Sequence, residues 1–263
     1  MIHYSTGTPL WVDLVSPDID ASVAFYSNLF GWQVSRTGQA SGSRMFSFGG
    51  EVVSGVRPLL GELRLPQWIT YISTDDVDQT VSRVEVAGGK VLTQTDPDEA
   101  MRMMILQDKM RAVFGIFHND LFAGAQVFNQ PVSLTFNQLM THEPEAGKRF
   151  YSQVFGWQPR ERDMGGGFTF TYFFQGLRAI AGTFVTDEPE LKAHWKVYFA
   201  IEDTDALVSR AVELGGKVLL PATDGSFGRF AELGDPQGAE FSIIQQTPEV
   251  RAAAQTPMGV LPF

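Results

Sequence analysis

Residues 10–15, Leu-Trp-Val-Asp-Leu-Val, alternate in character as a strand does when its two faces meet different surroundings. From residue 18 the period lengthens: Ile19, Val23, Tyr26 and Phe30 recur at spacings of four, three and four, which is one face of a helix over 18–30. Asp18 suits the N-cap of that helix, and Gly31 stands where a C-cap needs positive φ. Trp32 opens the next extended run. Strands follow near 32–36, 44–49 and 51–57, with Gly49-Gly50 as a hairpin turn, and residues 58–67, holding Pro58, Gly61 and Pro66, read as a loop. The pattern then restarts as a strand at 68–73, a helix at 76–87 and strands at 90–93, 101–106 and 112–117. The plan is β-α-β-β-β, twice.

The whole plan is then repeated. Phe25-Tyr26-Ser27-Asn28-Leu29-Phe30-Gly31-Trp32-Gln33 returns 125 residues later as Phe150-Tyr151-Ser152-Gln153-Val154-Phe155-Gly156-Trp157-Gln158, with seven of nine positions identical. Glu143 followed by Pro144 marks the start of the second copy's helix, since proline is tolerated in a first helical turn. At an offset of 127, Trp68 to Leu92 aligns without gaps on Trp195 to Leu219, including Tyr71/Tyr198, Asp76/Asp203 and the whole Gly-Gly-Lys-Val-Leu run. The frame continues through Arg102/Arg229, Asp108/Asp235 and Ile116/Ile243. Two duplicate domains are expected, at 8–118 and 132–246, with a linker at 119–131 and a tail at 247–263 that shows little periodicity.

Composition narrows the function. With 44% hydrophobic and 12% aromatic residues, 263 residues can build two real cores. A net charge of −10 with thinly spread Lys and Arg leaves no basic stripe for a phosphate backbone, so nucleic acid is not an expected partner. There is no cysteine, hence no disulfide and no thiolate ligand or nucleophile. Neither a signal segment nor an apolar run of about 18 residues is present, which points to a soluble cytoplasmic protein without a membrane partner. Gly165-Gly166-Gly167 has no Lys-Ser or Lys-Thr and no helix after it, so it reads as a hairpin tip and not as a phosphate loop.

The helix ending Phe-Tyr-x-x-x-Phe-Gly-Trp, the strand-Asp-Asp-helix-Gly-Gly-Lys-Val unit and the closing Asp235-Pro236-Gln237-Gly238 together resemble the vicinal oxygen chelate superfamily of glyoxalases, bleomycin-resistance proteins and ring-cleaving dioxygenases. The resemblance implies an α+β fold of tandem duplicated halves, each a pair of βαβββ modules forming a cup-shaped mixed sheet with helices outside. It also implies metal-ligand positions, and these fall on Asp13, Ile69 and Gly115 in the first half and on Gln138, Lys196 and Ser242 in the second. Isoleucine and glycine offer no donor atom, and an ammonium repels a cation. No metal and no other cofactor is therefore expected.

By strand parity, the residues expected to line the cups are Trp11, Asp13 and Tyr71 in the first half and Phe136, Gln138, His194, Lys196 and Tyr198 in the second. Such a lining suits a planar or apolar organic molecule with one or two polar anchors. Asp13 would favour a cation and Lys196 an anion. The same side chains also suit plain core packing. Three functions stay open: metal-independent binding or sequestration of a small molecule in the manner of bleomycin-resistance proteins; a lyase, isomerase or dioxygenase with a divergent site; or an interaction protein whose cups are filled by their own side chains. The duplication allows a monomer or a homodimer.

Overall fold

The computed structural model describes residues 5–36, 42–59, 61–94, 101–119, 124–165, 169–186 and 190–254. In the first half, β1 (Pro9–Ser16) leads to α1 (Ile19–Phe30), then β2 (Gln33–Arg36), β3 (Arg44–Phe48) and β4 (Glu51–Pro58). The second module holds β5 (Gln67–Ser73), α2 (Val77–Val86), β6 (Lys90–Gln94), β7 (Met101–Gln107) and β8 (Val113–Asn119). The other half repeats this as β9 (Ser133–Thr141), α3 (Pro144–Phe155), β10 (Gln158–Asp163), β11 (Thr169–Gln175) and β12 (Arg178–Val185). It ends with β13 (His194–Ala200), α4 (Thr204–Glu213), β14 (Lys217–Gly225), β15 (Gly228–Gly234), β16 (Glu240–Gln246) and a short α5 (Pro248–Ala254). The fold is α+β with tandem duplication: two eight-stranded mixed sheets have the same strand order, β2-β3-β4-β1-β5-β8-β7-β6 and β10-β11-β12-β9-β13-β16-β15-β14.

Local signals explain the ends of the helices. Asp18, Asp76 and Asp203 each accept a backbone N–H from three residues on, so the first turns of α1, α2 and α4 are capped by side chains. Glu143 makes no such bond before α3, which instead has Pro144 in its first turn. Gly31 and Gly156 both end their helices at φ 72°, a conformation that other residues adopt only under strain. In the tail, the Thr247 hydroxyl accepts from the Val250 N–H at the start of α5, a helix that the sequence pattern did not announce. Gly166 and Gly167 of the expected hairpin tip lie outside the described residues.

Each sheet follows one half of the sequence, whereas the compact units draw on both. The first unit contains Met1–Leu10, Ile69–Ala123 and Asn137–Lys196, and so holds α2 and α3. The second contains Trp11–Trp68, Gly124–Phe136 and Val197–Phe263, with α1 and α4. The core of the second unit gathers Tyr26, Phe30, Trp32 and Trp68 with Phe199, Phe241 and Ile243. That of the first gathers Phe114, Tyr151, Phe155, Trp157, Phe173 and Trp195. A buried relay runs through each. In the second unit Trp68 Nε1 donates to the Tyr26 hydroxyl (3.0 Å), which donates to Asp235 (3.2 Å). In the first, Trp195 Nε1 donates to Tyr151 (2.7 Å) and Tyr151 to Asp108 (2.9 Å). Each tyrosine thus comes from a helix of one half and each aspartate from a loop of the other. Among the described residues no helix is long and apolar enough to cross a membrane.

Candidate functional site

The register across the strands identifies equivalent positions on the faces turned away from the helices. In the first half one row reads Asp13–Gly55–Met45–Ser35, from β1 through β4 and β3 to β2. The corresponding row of the second half reads Gln138–Gly182–Tyr172–Arg160. In the later modules Tyr71–Gly115–Ile105–Thr93 is matched by Tyr198–Ser242–Glu232–Leu220. The rows place Tyr71 and Tyr198, two residues beyond Ile69 and Lys196, opposite Gly115 and Ser242.

The first-half positions are packed by their own side chains. Asp13 is 2% exposed, accepts a hydrogen bond from Trp11 Nε1 (2.8 Å) and is ion-paired to Arg57 (2.6 Å). A Cβ on Gly55 would come within 2.1 Å of Asp13 Oδ1 and 2.9 Å of the Trp11 ring, so this network rests directly on the β4 backbone. Arg57 changes the expectation for Asp13: its charge is already balanced by a fixed guanidinium and is not an open anchor for a cationic ligand. Tyr71 is fully buried, with its ring so close to Gly115 that a Cβ there would lie 2.1 Å from Tyr71 Cδ1.

The second-half rows are built differently. Ser242 has the Cβ that Gly115 lacks, which denies the facing tyrosine the place that Tyr71 takes. Tyr198 is accordingly half-buried, and its ring meets that of Phe136, also half-buried, at 6.3 Å and 63°. Burial raises the Tyr198 pKa, the Glu232 carboxylate raises it further, and the neighbouring Ser242 hydroxyl opposes them. The phenol is therefore a neutral hydrogen-bond donor throughout the physiological range. Phe136, Tyr198, Glu232 and Ser242 all belong to the second unit and form the most chemically equipped cluster on these faces. Glu232 was not among the sequence candidates.

In the first unit, Gln138 is 8% exposed opposite Gly182. His194 and Lys196 are half-buried on β13, with His194 Nδ1 hydrogen-bonded to the Lys192 carbonyl (2.8 Å). His118 and His142 likewise bond to backbone carbonyls, of Thr74 and Leu191 (both 2.9 Å), and His3 lies outside the described residues.

These donors do not fit a divalent metal. The carboxylate at the first-half position holds a guanidinium and the glycines contribute nothing; in the second half Gln138 offers an amide, and the separate row of Tyr198 offers a neutral phenol, a serine and the single carboxylate of Glu232. Among the described residues no group of three or more His, Asp or Glu side chains is placed to hold a metal ion.

Comparison with known proteins agrees with the duplication. Residues 8–114 match the glyoxalase/bleomycin resistance protein/dioxygenase superfamily, and residues 133–244 match a glyoxalase-like domain. The chain is 35% identical over 255 residues to the "Putative glyoxylase CFP32" of Mycobacterium bovis, covering 94% of this chain and 98% of that protein. It is 36% identical over 275 residues to the anthracycline biosynthesis protein DnrV of Streptomyces peucetius, covering 97% and 98%. Among solved structures, the Mn(II)-bound glyoxalase from Novosphingobium aromaticivorans has a TM-score of 0.62 at 17% identity, with 93% of this chain and 85% of that one covered. The 2,3-dioxygenase LapB from Pseudomonas sp. KL28 has a TM-score of 0.63 at 13% identity, covering 99% and 96%. Those structures share the fold.

Proposed function

The chain belongs to the glyoxalase/bleomycin resistance protein/dioxygenase superfamily, and we propose that it binds a small organic molecule without a metal, using half-buried Phe136, Tyr198 and Glu232 beside the buried Ser242. The observation that carries this reading is the difference between Tyr71 and Tyr198. The first is sealed against Gly115, whereas the second is held partly open by Ser242 with a carboxylate beside it. Phe136 and the Tyr198 ring offer aromatic surface, the phenol donates, and Glu232 accepts. A planar, hydroxylated aromatic compound presents the complementary groups. Two relatives are named for anthracycline biosynthesis, which fits a ligand of that class. Gln138, His194 and Lys196 of the second half are further candidates on the same grounds of placement, and the first-half trio of Trp11, Asp13 and Tyr71 is assigned to scaffold.

The test is calorimetric titration of 1,8-dihydroxyanthraquinone into wild type, Tyr198→Phe and Glu232→Gln. Loss of one hydrogen bond to the ligand weakens binding by about 1 kcal/mol in each variant. Equal affinity in all three proteins places binding elsewhere. A catalytic reading, in which Glu232 acts as a base beside the neutral Tyr198 phenol, draws on the same electrostatic coupling. It predicts turnover of an added 2-hydroxy-carbonyl substrate that Glu232→Gln abolishes.

A further inference from the structure

The edge strand β10, Gln-Pro-Arg-Glu-Arg-Asp, segregates its charges with the period of a strand. Glu161 turns to the helix side, where Lys148 of α3 pairs with it and with Glu145. Asp163, of the same parity, accepts the N–H of Gly165 (2.8 Å). Arg160 and Arg162 alternate with them and stand opposite Tyr172 and Phe170 of β11, on the face away from the helices. Phe170, Tyr172 and Phe174 run along that face as an aromatic ladder, the first two rings 4.7 Å apart and the next pair 6.5 Å apart. The Arg160 guanidinium lies 4.3 Å above the centre of the Phe174 ring. Burial raises the Tyr172 pKa to about 12 in spite of the Arg162 guanidinium, which opposes it.

Arg160 is exposed and, among the described residues, makes no ion pair, in a protein whose net charge is −10. A cation without an ion pair, held over a ring by its guanidinium carbon, keeps N–H groups available to an incoming anion. The first half carries Ser35 at the equivalent place, so the two copies differ here. We infer that Arg160, supported by Phe174 and flanked by Arg162, is an anion-recognition site for the carboxylate of a small aromatic acid. Its residues all lie in the first unit. The inference therefore stands independently of the Tyr198 cluster. Fork-like pairing with two oxygens favours a carboxylate, and the outer face of a guanidinium already stacked on one ring favours an aromatic group over a bare ion.

The experiment titrates naphthalene-2-carboxylate, its neutral analogue naphthalene-2-methanol, and inorganic sulfate into the full chain. The carboxylate binds the wild type about tenfold more tightly than the alcohol, and sulfate binds more weakly than either. In Arg160→Ala the preference for the carboxylate falls to near unity, whereas Arg160→Lys, which keeps the charge and loses the fork, retains a part of it. Lys217→Ala, at an exposed cation of the second unit, leaves the preference intact, which ties it to Arg160 and not to positive charge in general. Thermal unfolding of both Arg160 variants at the wild-type temperature establishes that the fold persists. A preference that survives in Arg160→Ala, the absence of carboxylate binding, or sulfate binding as tight as the aromatic acid would each overturn the inference.

Discussion

Tyr71 and Tyr198 occupy the same place in the two halves, yet one ring is sealed against a glycine and the other is half-buried beside a serine and a carboxylate. On the opposite side of the strands the halves have scarcely parted: Trp68, Tyr26 and Asp235 in one unit repeat Trp195, Tyr151 and Asp108 in the other, bond for bond. The duplicated helix side supplies stability twice over, which leaves the other face of either half free to change. The first half has filled that face with Trp11, Asp13, Arg57 and Tyr71; the second has there a half-buried tyrosine and an arginine-topped aromatic ladder. The two copies, alike on the helix side, differ in how that face is filled.

The largest effect should come from breaking the packed network of the first half. Arg57→Ala strands the Asp13 carboxylate at 2% exposure, and an uncompensated buried charge costs about 3–5 kcal/mol. Gln138→Ala, at the equivalent place in the second half, removes only a neutral amide and costs about 1 kcal/mol. Denaturant unfolding of both variants measures the difference, and equal losses would remove the distinction between a packed first-half face and a less committed second-half one.

A more direct exchange is Gly115→Ser, which gives the first half the residue found at 242. The new Cβ would meet the Tyr71 ring at 2.1 Å, so the ring must move, at a cost of about 1–3 kcal/mol for overpacking. Displacement also brings Tyr71 towards solvent. Acrylamide quenching of tyrosine emission in a background where the tryptophans are excited separately, or an NMR shift of the Tyr71 ring, would report it. An unchanged Tyr71 environment would mean that something other than the serine Cβ opens Tyr198.

Much of the helix side was legible in the sequence. Period, the Asp18 cap and Gly31 placed α1 within a residue or two, because both act on their immediate neighbours, and the restarted pattern placed α2 as closely. The exact repeat then carried each reading to the other half. What could not be read was what the side chains of the strands meet. Arg57 reaches Asp13 from a strand more than forty residues later, through a register that no local pattern states. Glu232 did leave a trace, since the gapless offset sets it against Ile105 and a change from apolar to acidic at a repeated position marks a face that has altered. The Tyr151–Asp108 bond joins a helix of one half to a loop of the other, so neither motif alone announces it.

That shared relay gives the smallest effect, and it should be alike in the two halves where the faces differ. Burial raises the pKa of Asp108 to about 6, against the hydrogen bond from Tyr151 and the backbone N–H groups of Ala112, Met110 and Arg111; burial raises Asp235 as well, opposed by Ala239, Gln237, Tyr26 and Gly238. A carboxyl whose pKa is higher when folded than when unfolded binds more protons in the folded state between the two values, so its contribution to stability declines as pH rises through that window. For Asp108 the window lies between about 4 and 6. Below it the group is neutral in both states; above it the folded state bears the whole cost of a buried charge. Asparagine does not titrate, so the stability of wild type relative to Asp108→Asn should fall by about 1–2 kcal/mol from pH 4 to pH 7, whatever constant offset the substitution brings. Asp235→Asn should show the same sign. Unfolding curves of the three proteins at several pH values measure these differences, and a flat difference for Asp108 with a sloping one for Asp235 would show that the two relays, identical in their bonds, are not identical in their electrostatics.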